Sequence, residues 1–130
     1  MRVLRKFAAA TAALFLFSPV ALSQVLAPAQ MTYEQALNVW ETTKDREQYQ
    51  SYAQAFAQWN NHFQLDTRNG CYAKGKEPLT ILLVISDKAE IGPVMSSVGG
   101  EKAECFRLTY LGLKVGAPPF SPLVIRLNME

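Results

Sequence analysis

The stretch Leu79-Thr80-Ile81-Leu82-Leu83-Val84-Ile85, followed at once by Ser86-Asp87-Lys88, decides the fold. The run is too short for a typical helix, rich in β-branched residues and apolar at nearly every position. Such a segment reads as a strand covered on both faces rather than one exposed on one side. Ser86-Asp87-Lys88 then reads as a turn, and Glu90 to Val98 as a second strand. Pro93 has no N–H to give a ladder, so this second strand is expected at a sheet edge or at a bulge.

Gly99-Gly100 breaks the chain before a helix expected over about Glu101 to Lys114. Ala103, Phe106 and Tyr110, with Leu111 or Leu113, would form its core face, and Glu101 and Glu104 suit its positive N-terminal end. Gly116, Pro118 and Pro119 stop it. In the last segment Leu123, Ile125, Leu127 and Met129 alternate with Val124, Arg126 and Asn128, the period-two signature of a half-buried strand.

On the N-terminal side, Cys71 to Pro78 is polar, contains Gly75 and Pro78, and reads as a loop. Before it, Tyr49, Tyr52, Ala53, Phe56, Asn60 and Phe63 recur at helical spacing, with Trp59 on the flank and Asp45 as the expected cap. Asp66 to Gly70 closes that helix. A shorter helix precedes it, with Thr32 as N-cap, Gln35 completing a capping box, and Tyr33, Ala36, Leu37 and Trp40 on one face. The expected class is therefore α+β: a small three-stranded antiparallel sheet packed against helices, in the order α-α-β-β-α-β.

Arg2, Arg5 and Lys6, the uncharged run Phe7 to Phe17, and Ala21-Leu22-Ser23 have the layout of a secretory signal peptide. Residues 1–23 are read as that signal, 24–44 as an N-terminal helical extension and 45–130 as the main domain. The alternative is an uncleaved anchor facing the periplasm, since Phe7 to Ala29 is uncharged; only then is a membrane a partner. Cleavage after Ser23 removes three of the 13 basic residues, leaving 10 against 11 acidic ones and a net charge of −1. With Lys74, Lys76, Lys88, Lys102 and Lys114 scattered, no nucleic-acid partner is expected.

In an oxidising compartment Cys71 and Cys105, the sole cysteines, read as a structural disulfide. A redox pair or metal ligands are the rival readings; the chain has no Cys-x-x-Cys spacing and one histidine, His62. His62 stands beside Asn60 and Asn61 and reads as a solvated or capping residue. The row Tyr49, Tyr52, Phe56, Trp59 and Phe63 resembles a stacking platform, but helical spacing assigns it to core packing. No Gly-x-Ser-x-Gly, phosphate loop or metal-ligand cluster occurs, so no catalytic residue, cofactor or metal is expected. Asp66 and Asp87 fall in turns, where capping and solvated roles prevail.

From about Tyr49 to Met129 the chain resembles the C-terminal periplasmic domains of the TonB and TolA energy-transducer superfamily. The likeness rests on the amphipathic helix, the hairpin at Ser86-Asp87-Lys88, and Glu104-Cys105 in the following helix. Ala117-Pro118-Pro119-Phe120, leading into Pro122 to Met129, completes it. Members of the TolA-like branch pair a cysteine near the first strand with one in that helix, as Cys71 and Cys105 would here. The chain departs from the family in having no glycine in Asp87-Lys88-Ala89 and in placing Cys71 well ahead of the strand. Only Gln24 to Met31 separates the signal from the first helix, so force transmission across the periplasm is not expected.

What the resemblance implies is a binding module of the Gram-negative envelope that recruits an envelope protein or peptide segment by strand addition. Pro93 spoils the second strand as a template, leaving Leu123, Val124, Ile125, Arg126, Leu127, Asn128 and Met129 as the expected partner-binding edge. The rival reading is a periplasmic enzyme inhibitor or ligand-binding protein acting through Tyr72 to Glu77 or Ala117 to Ser121.

Overall fold

A computed structural model describes residues 30–130. The signal-peptide reading and its anchor alternative concern residues that lie outside those described. Among the described residues three helices and three strands follow one another as α1 (Tyr33–Thr43), α2 (Glu47–Phe63), β1 (Leu79–Ile85), β2 (Ile91–Ser96), α3 (Glu101–Tyr110) and β3 (Leu123–Met129). A single 3-10 turn, Cys71–Lys74, lies in the loop before β1. The class is α+β, as the patterning predicts.

The sheet has the order β2-β1-β3, with β1 antiparallel to both neighbours. Ile81 to Ile85 are all fully buried, which explains the unbroken apolar run: both faces of the central strand are covered. Ile81, Leu83, Ile85, Leu123 and Ile125 share one cluster with Tyr49 and Phe56 of α2 and with Ala103, Phe106 and Tyr110 of α3. On the opposite face, Leu82, Val84 and Val124 pack against Ala36, with Tyr33, Leu37 and Trp40 around them. Ala36 is fully buried, and its small side chain lets α1 approach the sheet closely. The molecule is thus layered, with α1 on one side of the sheet and α2 and α3 on the other.

The local signals behave as physics requires, with informative exceptions. Thr32 caps α1, accepting from the Gln35 amide while the Gln35 side chain accepts from the Thr32 amide. Asp45 does not cap α2. The N-cap is Arg46, whose amide closes a tight turn on the Thr43 carbonyl, and Asp45 instead pairs with Lys44 at 3.7 Å. α2 ends at Phe63, where Gln64 takes the left-handed conformation with φ 51°. α3 also ends earlier than its apolar spacing suggests, at Tyr110 rather than Lys114. Leu111 is extended and Gly112 has φ +83°, so the chain leaves the helix and turns back toward β2.

The hairpin between β1 and β2 lacks glycine, and Ala89 supplies the left-handed residue instead, with φ 58°. Pro93 fits both of its expected places: β2 is an edge strand, and the β1–β2 register shifts between Leu83 and Ile85. Cys71 and Cys105 form a disulfide with their Cα atoms 5.4 Å apart, tying the 3-10 turn to α3.

Candidate functional site

A sheet of three strands has two outer edges, and the two differ here. The start of β2 is closed by the chain that leaves α3. Gly112 donates to the Ile91 carbonyl at 2.7 Å, Ile91 donates to the Leu113 carbonyl at 2.9 Å, and Val115 donates to the Ala89 carbonyl at 2.9 Å. An ion pair between Lys114 and Glu90, at 2.6 Å, reinforces this closure. The Lys114 ammonium holds the Glu90 carboxyl below the usual carboxylate range. Farther along β2, Gly92-Pro93 forms the bulge, and beyond it Val94 and Ser96 direct their backbone groups outward. This edge is therefore closed at its start and interrupted by the bulge, with only a short free run beyond it.

The outer edge of β3 is different. Among the described residues, none of its backbone groups bonds to any backbone other than β1. Which groups face outward follows from the register. Thr80 directs both backbone groups toward β2: its N–H donates to Ser97 Oγ and its carbonyl accepts from the Ser97 amide, each at 2.9 Å. By alternation, Ile81 and Leu83 face β3 and exchange bonds with Leu127 and Ile125, their register partners. The N–H and C=O groups of Val124, Arg126 and Asn128 consequently point away from the sheet.

The side chains of this strand divide as its period predicts. Leu123, Ile125 and Met129 are buried toward α2 and α3, and Leu127 is half-buried beside them. Val124 is fully buried under α1, Arg126 is half-buried over Trp40, and Asn128 is exposed. Asn128 accepts a hydrogen bond from the Thr80 hydroxyl at 3.1 Å. α1 covers the face of the sheet, with Ala36 against Leu82, Val84 and Val124. It supplies no backbone partner to the edge.

The end of β3 is pinned by a residue that the sequence pattern does not single out. Lys102 is only 2% exposed, although it opens a helix whose dipole disfavours a cation there. Its ammonium donates to the Glu77 carbonyl at 2.7 Å and the Met129 carbonyl at 3.5 Å, and lies 5.5 Å from the Tyr72 ring centroid. Tyr72 packs on Phe106 with ring centroids 5.2 Å apart and donates its hydroxyl to Met129 Sδ. Tyr72 and the Glu77 carbonyl thereby help hold the end of β3, while Ala73, Lys74, Lys76 and Glu77 stay exposed. A lone lysine among scattered lysines carries no local sign of this role.

The other loop of interest, Ala117 to Ser121, borders a groove of about 110 Å³ just before it, lined by Tyr52, Ala55, Phe56, Trp59, Val115 and Gly116. The Tyr52 hydroxyl donates to the Gly116 carbonyl at 2.7 Å, and burial pushes its ionisation up to about 12. Arg46 lies over the Phe120 ring at 4.8 Å. His62 is exposed and meets the Phe63 ring edge-on at 4.7 Å. Most of the aromatic row is inward: Tyr49 and Phe56 are buried and Tyr52 and Trp59 partly so, while Phe63 is 48% exposed.

Among the described residues no three His, Cys, Asp or Glu side chains gather as a metal site would need. No protein-family model, curated protein or solved structure matches this chain.

Proposed function

We propose that this protein is an exported, non-enzymatic interaction module of the cell envelope, with a TonB/TolA C-terminal-like architecture. It binds an extended segment of an envelope protein by adding that segment to the outer edge of β3. The observation that carries this reading is the asymmetry of the sheet. One edge is closed at its start by Gly112 to Val115 and interrupted by the bulge at Gly92-Pro93, while among the described residues Val124, Arg126 and Asn128 present unpaired backbone groups along the whole of the other. Unpaired edges invite pairing, and the longer uninterrupted run of free groups is the better template. Signal-like residues 1–23 and the Cys71–Cys105 disulfide support a periplasmic setting. No residue is assigned to catalysis, a cofactor or a metal.

The second reading, an enzyme inhibitor or ligand-binding protein, draws on the groove between α2 and Val115-Gly116. In-cell crosslinking separates the two. A photoreactive residue at exposed Asn128 traps a distinct envelope protein if β3 is the docking edge. If Ala55 in the groove traps a partner and Asn128 traps none, strand addition is wrong and the groove is the site.

A further inference from the structure

Arg126 stands at the middle of β3, paired in register with Leu82 of β1, on the face that α1 covers. Its guanidinium carbon lies 4.7 Å from the Trp40 ring centroid, and the Lys44 ammonium lies 5.5 Å from the same ring. Among the described residues no carboxylate pairs with Arg126, and its Nε is buried without a hydrogen-bond partner. A buried donor left unmade costs free energy, more so on a charged group. Contact with the Trp40 ring restrains the guanidinium, whose planar fork favours planar acceptors such as carboxylates.

Resting on the strand-addition reading, we propose that the segment docking on β3 carries an aspartate or glutamate directly opposite Arg126, flanked by apolar residues. The backbone groups of Arg126 face outward, so the residue paired with it in the added strand stands on the same face, within reach of its guanidinium. The residues on either side of that acid turn to the other face, beside Ile125 and half-buried Leu127. Lys44, paired with Asp45 at 3.7 Å, lies near the same ring. The same arginine argues against a second copy of this chain as the occupant. Two β3 edges related by a two-fold axis at the strand's middle would set one Arg126 against the other, and like charges directly opposite are destabilising.

The test uses two blocked octapeptides that alternate valine and threonine, one with a central glutamate between valines and one with glutamine in its place. Each is titrated into isotope-labelled, oxidised protein while the amide signals of Val124, Arg126 and Asn128 are followed. The expected result is shifts at those amides, with the glutamate peptide binding about tenfold more tightly. That advantage shrinks at high salt and disappears in Arg126→Gln, while Arg126→Lys keeps part of it. The salt dependence in the unaltered protein decides the matter even if Arg126→Gln does not fold. Equal affinities at the β3 amides would overturn the acidic requirement and leave strand addition standing. Shifts confined to other regions, or none, would overturn strand addition and this inference with it. Concentration-dependent self-association through the β3 amides would identify a second copy as the occupant instead.

Discussion

Asn60 is the one polar entry in the apolar stripe of α2, and it is buried because Tyr110 needs it: the Tyr110 hydroxyl donates to Asn60 Oδ1 at 2.7 Å. Removing the donor by Tyr110→Phe strands a buried acceptor. The expected cost is about 1–3 kcal/mol, read as a lower denaturant midpoint; an unchanged midpoint would show that the bond is replaced. The same burial predicts an alkaline transition. Burial raises the ionisation of Tyr110, Tyr52, Tyr49 and Tyr72 above the ordinary value of 10.0. A raised folded-state value means that the neutral phenol is favoured by folding. Its stabilisation is therefore fully present below about 10 and is lost as pH rises through the folded-state values, which for Tyr52 is about 12. Ionisation of these four tyrosines should come late and together with unfolding; their early ionisation in a folded protein would contradict this. Asn60 is conspicuous in the sequence as a polar break in a helical stripe, but its partner fifty residues away is not. Lys102 is harder still, because its burial depends on carbonyls of Glu77 and Met129 and on the Tyr72 ring, all remote in sequence.

At the level of elements, the strands were more legible than the helix ends. Leu79 to Ile85 announces a doubly covered strand by composition alone, and Pro93 limits β2 to an edge or bulge by its missing donor. The end of α3 differs from its expected place because Leu111 and Leu113 continue an apolar spacing that the backbone abandons. Leu113 accepts from Ile91 at the sheet edge, and Leu111 is 42% exposed. That departure matters to the proposed docking, since it is the segment after α3 that closes the start of the β2 edge. The disulfide works at this scale too, joining the turn before β1 to α3 across a separation of 34 residues. Replacing both Cys71 and Cys105 by alanine should lower stability by about 3–4 kcal/mol on the chain-entropy account. Denaturant unfolding of the oxidised and double-alanine proteins measures this, and coincident curves would deny the disulfide a stabilising role.

In the whole molecule, α1 is the lid on one face of the sheet. Leu82, Val84 and Val124 are fully buried beneath it, and exposing them would forfeit about 5–9 kcal/mol. That is comparable to the whole stability of a typical domain. A chain beginning at Asp45 should therefore lose its cooperative melt or aggregate; a monomer with an undiminished melt would show that the face is stable without its cover. Docking sites are legible in sequence only as far as strand pattern and proline placement allow. The open edge of β3 depends on what the other described residues leave uncovered, which only the assembled fold displays. Residue-resolved hydrogen exchange of the isolated, oxidised protein tests that edge directly. The amides of Ile125 and Leu127, bonded to β1, should exchange slowly, and those of Val124, Arg126 and Asn128 fast. Equal, strong protection along all of β3 would mean that the edge is already occupied and is not a docking strand.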